Sequence, residues 1–335
     1  MLALGLNILL QVQVPGAHEY RIEDIFKPFA TPGVEERSAA YLTLFITGAI
    51  FVVVAGLIVY TVFRFRRRAD DDSRQEPPQV YGSNQIEAAW TIIPILIVFV
   101  LIGVSARVIA SVQNASPPKQ AVKIRIVGHQ WWWEVQYPDY GFVTANEIHM
   151  PISSDGSRAS YMELTSADVN HAFWIPQLGG KLQLIPNRIN YMWLDPSQAG
   201  DYVGNCAQYC GTEHAKMLLR VVAQTPADFQ AWAAQQQRPS NNDPQVSQAR
   251  DTFYSLSCVN CHTIRGTPAV GTFAPDLTHL MSRETLGAGV LVNDPKDLRD
   301  WVNNPQDAKP GCFMPSMKLS DTELNQVVAY LETLK

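Results

Sequence analysis

The chain has 335 residues with 26 basic and 31 acidic side chains, which gives a formal net charge of -5. Because phosphate recognition needs a basic surface, this balance argues against a nucleic-acid-binding protein. Hydrophobic residues make up 47% of the sequence and charged residues 17%, which excludes a disordered chain and is low in charge for a wholly soluble protein. Five cysteines are too few for a disulfide-stabilised scaffold, so their spacing matters more than their number.

Two apolar stretches lie in the first third of the chain. No charged residue occurs between Ser38 and Phe63, or between Ala88 and Ala106. At about 1.5 Å per helical residue, each stretch can cross a hydrocarbon core of about 30 Å. We therefore predict a transmembrane hairpin over residues 38–113, with spans at about 39–63 and 88–110. A pair of buried core helices is the alternative interpretation.

The connection between the two spans is rich in arginine, at Arg64, Arg66, Arg67, Arg68 and Arg74. Basic residues favour the cytoplasmic side, so the N-terminal segment and the soluble region after Ser111 are predicted on the outer side of the membrane. The N-terminal segment, residues 1–37, opens with the apolar run MLALGLNILLQVQV and has no basic region before it. Whether this run is a signal remnant or an interfacial segment stays open.

The soluble region divides at a polar stretch. Before it, alternating runs such as Val122–Ile126 and Tyr161–Leu164 are separated by turn residues, a pattern typical of a β-sandwich or barrel, which we place at residues 114–225. The proline-containing stretch 233–245 has too few apolar residues to pack a core. We therefore predict a linker at residues 226–248.

The last domain, residues 249–335, has a helical pattern. Ser320 and Glu323 form a capping box at the start of a terminal amphipathic helix. One face of this helix carries the apolar residues Leu324, Val327, Val328, Leu331 and Leu334. The fold class is therefore multi-domain: a two-helix hairpin, then an all-β domain, then an all-α domain.

The first metal-binding motif joins Cys206, Cys210, His214 and Met217 at short spacing, with His171 upstream. Thiolate and thioether ligands favour copper over hard cations. Two cysteines with two histidines and a methionine suggest two copper ions bridged by both thiolates. A disulfide bond and a structural zinc site are the alternatives; zinc would leave Met217 unexplained, and a disulfide would leave both histidines unused.

The second motif is Cys258-Val259-Asn260-Cys261-His262, the attachment sequence for c-type haem. The two thiols would form thioethers with the haem, and His262 would supply one axial nitrogen. A redox-active pair of cysteines is the alternative. Cys312, the odd cysteine, is interpreted as a structural free thiol because both motifs are complete without it.

Three methionines follow the haem motif and compete for the second axial position. Met281 follows His262 too closely for the chain to cross over the ring. Met314 lies on the loop before the capped helix, and Pro315 biases it towards an extended backbone. Met317 comes directly before the cap, where packing against the helix explains it. We therefore predict Met314 as the axial ligand, with Met317 as the alternative.

These motifs resemble a known family. Residues from about 39 to 225 resemble subunit II of haem–copper cytochrome c oxidases, and the rest resembles the cytochrome c domain fused to it in the caa-type enzymes. The segments that carry the resemblance are GHQWWWEV, VNHAFWIPQLGGK, CAQYCGTEHAKM, CVNCH and FMPSMKLSDTEL. The resemblance implies a cupredoxin-like barrel with a dinuclear CuA centre, and a class I cytochrome c domain with covalent haem c.

The resemblance also assigns ligands one by one. The side chains that match those of CuA are His171, Cys206, Cys210, His214 and Met217. The backbone carbonyl of Gln208 matches the sixth contact. In the family a glutamate usually stands at this position and binds a Mg²⁺ ion shared with the catalytic subunit. Since an amide is a weaker, neutral ligand for a hard cation, an altered Mg²⁺ site stays open.

Two further residues match family positions. Trp131 corresponds to the first tryptophan of an aromatic patch where electrons from cytochrome c enter. Trp132 is then expected in the packed barrel wall, with Trp131 and Trp133 on the opposite face of the strand and a core position for one of these two as the open alternative. Glu87 corresponds to a glutamate at the cytoplasmic end of the second span, which implies proton uptake through the K pathway. An ordinary interfacial carboxylate is the alternative for Glu87.

The resemblance implies the electron-input subunit of a respiratory haem–copper terminal oxidase, an enzyme complex that pumps protons. It also implies a location in the bacterial plasma membrane, with the soluble domains on the periplasmic side. Electrons would pass from haem c to CuA and on to the catalytic subunit I, where dioxygen is reduced to water. Subunit III is a further expected partner. The electron donor would be cytochrome c, another small redox protein or a quinol-oxidising complex. The CuA subunit of a nitric oxide reductase and a membrane-anchored copper carrier are the alternatives.

Overall fold

The computed structural model of the chain describes residues 25–66, 79, 81–113, 121–153, 160–240 and 243–335. The chain forms two compact units, one made of Met1–Val34 with Ala115–Lys335 and the other of Glu35–Asn114. The apolar N-terminal run and three of the loop arginines, Arg67, Arg68 and Arg74, lie outside the described residues.

Two long helices account for the predicted spans. Helix α1 covers Thr31–Arg64 and helix α2 covers Asn84–Gln113. The most apolar window of each has a mean hydropathy of 2.7, and none of it is buried inside the protein. Buried core helices would be covered by other elements, so the described residues contradict that alternative. Pro94 lies inside α2, which remains continuous around it.

The all-β domain consists of two five-stranded sheets. One has the strand order β3-β2-β1-β5-β8 and the other has the order β4-β10-β9-β6-β7. Most neighbours are antiparallel, but β1 pairs with β5 and β4 pairs with β10 in parallel. The strands are β1 Val122–His129, β2 Trp132–Tyr137, β3 Phe142–Ala145, β4 Glu147–Pro151, β5 Ser160–Ser166, β6 His171–Ile175, β7 Gly179–Leu184, β8 Asn190–Leu194, β9 Gly200–Cys206 and β10 Leu218–Gln224.

The strand alternation buries Trp133 rather than Trp132. Strand β2 begins at Trp132, and its inward positions are Trp133, Val135 and Tyr137, all fully buried. Trp132 is half-buried and stacks on the ring of His129, with 4.3 Å between the ring centroids. The expectation that Trp132 packs in the barrel wall is therefore wrong, because the phase of the strand places its neighbour in the core.

The first part of the predicted linker is a helix. Helix α3 covers Pro226–Gln236 and begins at Thr225, whose hydroxyl accepts a hydrogen bond from the backbone of Asp228 at 3.2 Å. Phe229 and Ala233 are fully buried on one side of this helix. The linker boundary at 226 is corrected accordingly: the mainly polar composition of this segment concealed a short apolar stripe at helical spacing.

The C-terminal domain is mainly helical. The predicted capping box is present, since Glu323 N donates to Ser320 Oγ at 3.3 Å and Ser320 N donates to Glu323 Oε2 at 2.8 Å. A small antiparallel ladder, β11 Thr285–Leu286 with β12 Leu291–Val292, adds strand structure to a domain expected to be all-α. The helices are α4 Ser247–Ser255, α5 Cys258–Cys261, α6 Pro295–Asn303, α7 Pro305–Ala308 and α8 Asp321–Leu331.

Candidate copper and haem centres

The first site is a buried cluster of sulfur and imidazole groups beside strands β6 and β9. His171 begins β6 and Cys206 ends β9, and the antiparallel pairing of these strands brings the two residues together. Cys206 Sγ lies 3.8 Å from His171 Nδ1 and 3.8 Å from Cys210 Sγ. His214 Nδ1 lies 3.6 Å from Cys210 Sγ. Each sulfur therefore has one imidazole nitrogen beside it.

Two further predicted ligands complete the cluster. Met217 is fully buried, and its Sδ lies 3.9 Å from Cys210 Sγ. The carbonyl oxygen of Gln208 lies 3.2 Å from Cys206 Sγ. The backbone N–H of Cys206 donates to the carbonyl of Met217 at 3.0 Å, which closes the loop that carries the other residues. All six residues predicted as ligands thus converge on one place.

The chemistry of these donors fits a dinuclear copper centre. A disulfide bond needs a sulfur separation of about 2.0 Å, so the cysteines are free thiols. The hydrogen bonds from Cys210 and His171 lower the pKa of Cys206, which makes it the thiolate of the pair. Two thiols, two imidazoles and a thioether favour copper over hard cations, and a four-ligand zinc site would leave Met217 without a role.

Asp168 supports the cluster from outside, and the sequence reasoning did not find it. Its Oδ1 lies 2.8 Å from Nε2 of His171, which orients the ring so that Nδ1 faces Cys206. Its other oxygen accepts a hydrogen bond from the backbone N–H of Gln130 at 2.6 Å. The sequence did contain a signal for it, because Asp168 is an acidic residue three positions before the predicted ligand His171.

Trp131 lies directly against the copper cluster. Its indole Nε1 donates to the carbonyl of Cys210 at 3.1 Å, and Gln130 Nε2 donates to the same oxygen at 2.7 Å. The ring is packed so closely that a Cβ on Gly211 would lie 2.9 Å from it, and Gly211 also has φ of +123°. Only glycine fits this position. Trp131 is thus tied to a cysteine of the cluster.

The second site is built around the haem-attachment motif. Cys258 and Cys261 form the ends of the short helix α5, and His262 follows it. His262 Nδ1 lies 2.8 Å from the carbonyl oxygen of Pro275. Since a carbonyl only accepts hydrogen bonds, Nδ1 carries the proton and Nε2 is free to bind a metal. Burial lowers the pKa of His262, which keeps the ring neutral, as a ligand must be.

A cavity beside this motif is lined by both soluble domains. Cys258, Cys261 and His262 form part of its wall, and the sandwich contributes Trp131 to the same wall. Among the three competing methionines, Met314 and Met317 line the cavity, whereas Met281 packs in the helical core. The structure therefore brings both Met314 and Met317 to the site, and the choice of Met314 stays a prediction.

The cavity also fits a haem by its polar groups. Arg283 lines it and is 9% exposed, and its Nη2 donates to the carbonyl of Asp276. Its Nε has no hydrogen-bond partner among the described residues. A buried guanidinium with an unsatisfied donor suits a negatively charged propionate, and the remaining lining is largely apolar. The two cysteine thiols, the His262 imidazole and the Arg283 guanidinium together fit a covalently attached haem.

Comparisons with known proteins match the helical hairpin and both soluble domains to known families. Three sequence families match: cytochrome c oxidase subunit II, transmembrane domain, over residues 20–108, its periplasmic domain over 143–224, and cytochrome c over 247–335. Cytochrome c oxidase subunit 2 of Alkalihalophilus pseudofirmus is 32% identical over 304 residues, which cover 88% of this chain and 85% of the relative. The chain belongs to the cytochrome c oxidase subunit 2 family.

Further relatives of the same family are similar. Cytochrome c oxidase subunit 2 of Bacillus subtilis is 31% identical over 300 residues, which cover 83% of this chain and 82% of the relative. The crystal structure of the periplasmic domain of subunit II of cytochrome oxidase from Bradyrhizobium japonicum is 29% identical, with a TM-score of 0.33. That match covers 36% of this chain and 95% of the other.

Membership of the subunit 2 family confirms the predicted function. The chain is the electron-input subunit of a haem–copper terminal oxidase, a partner of subunit I, and a two-span membrane protein with its sandwich on the periplasmic side. The family implies CuA copper and haem c as cofactors. The interpretations as a nitric oxide reductase subunit and as a copper carrier are set aside by this membership.

Three other predicted features are located by the structure. Glu87 lies exposed in the first turn of α2, in the compact unit that does not contain the copper cluster. Among the described residues, the group of acidic, histidine and cysteine side chains with metal-binding spacing is the copper cluster, and no second group of this kind lies at Gln208 within that part of the chain. Cys312 is a half-buried free thiol, and burial raises its pKa.

Proposed function

We propose that this subunit receives electrons at the cavity of its C-terminal domain and delivers them through Trp131 to the copper cluster and then to subunit I. One observation carries the proposal: Trp131 lines the cavity beside the haem-attachment motif and also donates a hydrogen bond to Cys210. A single side chain thus contacts both sites. When bound, haem c and a dinuclear copper centre supply the one-electron chemistry.

The residues of the chain hold these groups and exclude water. Cys258 and Cys261 would anchor the haem, and His262 and Met314 would bind its iron. The six residues of the copper cluster would hold the metal pair: His171, Cys206, Gln208, Cys210, His214 and Met217. Trp131, which is 7% exposed, keeps water out of the space between the two sites. A dry, rigid connection minimises the reorganisation that accompanies a change of charge.

Replacement of Trp131 tests this route. We expect Trp131→Leu to keep haem and copper content but to slow electron transfer between them roughly tenfold or more, since leucine lacks both the indole ring and its N–H donor. The measurement is stopped-flow oxidation of haem c at a wavelength separate from the copper band. Trp132→Leu is the matched control, because Trp132 also lines the cavity but stacks on His129. A wild-type rate in Trp131→Leu would contradict the route.

We also propose that Glu87 admits protons from the cytoplasmic side. The carboxylate is exposed in the first turn of α2, at the end of the span that the loop arginines place in the cytoplasm. Ionisable groups at such positions in membrane proteins are commonly functional. This position supports delivery of protons towards the catalytic subunit.

The corresponding variant is Glu87→Gln. We expect turnover to fall by about tenfold with unchanged haem and copper content, because an amide preserves shape but cannot exchange a proton. Steady-state oxygen consumption of the assembled oxidase measures this. Glu35→Gln is the control, since Glu35 lies near the start of α1, the opposite end of the hairpin. Normal turnover in Glu87→Gln would make Glu87 an ordinary interfacial carboxylate.

The remaining partners belong to the same proposal. Subunit III would join the complex beside subunit I. The electron donor, whether cytochrome c, another small redox protein or a quinol-oxidising complex, would dock on the C-terminal domain, because that domain carries the haem-attachment motif. Delivery at this domain would make the haem site the first acceptor and the copper cluster the second.

A further inference from the structure

The sandwich and the C-terminal domain are joined by a buried lysine. Lys309 follows α7 in the C-terminal domain and is 3% exposed. Its ammonium donates to the carbonyls of Trp131 at 2.7 Å, Lys216 at 2.8 Å and Gly287 at 3.0 Å. Each of its three hydrogens therefore has a backbone acceptor. Two of the acceptors, at Trp131 and Lys216, belong to the sandwich.

A buried glutamate makes the reciprocal connection. Glu147 begins β4 of the sandwich and is 2% exposed. Its carboxylate accepts hydrogen bonds from the backbone N–H of Glu284 at 2.9 Å, the backbone N–H of Thr285 at 2.9 Å and the hydroxyl of Thr285 at 2.9 Å. All of these donors lie in the C-terminal domain. Each domain thus places a buried ionisable side chain against the backbone of the other.

These two contacts are specific to one docked arrangement. A buried charge is costly unless every donor or acceptor is satisfied, and here the satisfying groups come from the opposite domain. Burial lowers the pKa of Lys309 to about 7, while the Glu213 carboxylate opposes this, and the neutral amine would still keep two donors. Separation of the domains would break the bonds from Lys309 to the sandwich carbonyls and the bonds from the C-terminal domain to Glu147, and water would have to replace them.

The acceptors of Lys309 lie at functional positions. Trp131 contacts both sites, Lys216 precedes the predicted ligand Met217, and Gly287 lines the haem cavity. The backbones also approach closely nearby, since Leu218 N donates to the carbonyl of Ala288 at 3.0 Å. One ammonium group thus connects Trp131, the segment that carries Met217 and the wall of the haem cavity.

We propose that Lys309 is a positioning residue that, with Glu147 as its counterpart, locks the C-terminal domain on the sandwich so that the contact through Trp131 is permanently formed. The inference rests on the proposed route through Trp131. It goes beyond that route because it makes electron transfer within the chain independent of any docking motion. A domain that swings on its linker would instead have to find the sandwich before each transfer.

The test uses Lys309→Met in the assembled oxidase, with haem and copper content checked by their spectra. We expect transfer from haem c to copper to slow about tenfold and to become dependent on solvent viscosity, because transfer then waits for the domains to dock. The wild-type rate should be independent of viscosity. Lys296→Met is the matched control, since the Lys296 side chain is 78% exposed and pairs with Asp300 on the same helix.

Glu147→Gln removes the reciprocal contact, from the side of the sandwich. If one of the two variants fails to bind a cofactor, the other still tests the proposal. We expect the same viscosity dependence in Glu147→Gln. Viscosity-independent, wild-type transfer in the cofactor-loaded variants would overturn the proposal. Trp131→Leu separates the two ideas, because it should slow transfer without any viscosity dependence. Normal transfer in Trp131→Leu together with viscosity-dependent transfer in Lys309→Met would contradict the route through Trp131 and support the role of Lys309 in holding the domains together.

Discussion

Replacement of Cys206 by serine is expected to abolish the dinuclear copper spectrum and to leave haem c in place. Cys206 Sγ is the sulfur that lies close to His171 Nδ1, Cys210 Sγ and the Gln208 carbonyl at once. A serine hydroxyl stays protonated at neutral pH and is a poor ligand for copper. Since loss of a supporting residue around a metal typically costs 10–100-fold, loss of a bridging ligand should lower electron delivery by at least about a hundredfold.

The measurement is an EPR and optical spectrum of the purified chain, together with the stoichiometry of bound copper. Cys210→Ser should behave in the same way, because its sulfur has the second imidazole and the thioether beside it. Cys312→Ser is the control, since this half-buried thiol is outside the cluster. A normal two-copper signal in either cluster variant would show that the assignment of bridging thiolates is wrong.

Replacement of Met314 by alanine is expected to remove the weak red sulfur-to-iron absorption band of the oxidised haem. The haem potential should fall by on the order of 100 mV, because a thioether opposite histidine favours the reduced iron. Met314 is the methionine that lines the cavity and precedes a proline, which biases it to an extended backbone. Copper content should stay at the wild-type level.

The decisive comparison is with Met317→Ala, because Met317 lines the same cavity. This variant should keep the red band and the potential. If the band survives in Met314→Ala and disappears in Met317→Ala, Met317 is the ligand. Met281→Ala is a second control, since Met281 packs against the helical core and should affect stability rather than the haem spectrum.

Features that depend on local physics were predictable from the sequence. The two spans follow from their lack of charge, and the terminal helix follows from its apolar period and from the Ser320–Glu323 box. The Cys206–Met217 and Cys258–His262 motifs are also local, because short spacing on a loop or a helix brings the residues of each motif together whatever the rest of the chain does. The resemblance to the oxidase family extended these motifs to a function, which the comparisons confirm.

Other features depend on contacts between distant segments, which only the tertiary structure decided. Strand pairing brings His171 to Cys206, and the starting residue of β2 sends Trp133 rather than Trp132 into the core. The apolar stripe of Phe229 and Ala233 could be identified only from the packing of α3, which buries both residues in the core of the sandwich. In each case the outcome was set by a partner surface rather than by the composition of the segment.

The interface between the two soluble domains is the clearest example of a feature that the sequence alone did not predict. By sequence alone, Lys309 and Glu147 are charged residues of the kind that normally lie in water. Their burial depends on backbone groups of the opposite domain, at Trp131, Lys216, Glu284 and Thr285. Sequence patterns determined that this chain has a copper site and a haem site. The tertiary structure decided that they share Trp131, because only the packed domains bring those backbone groups within hydrogen-bonding distance.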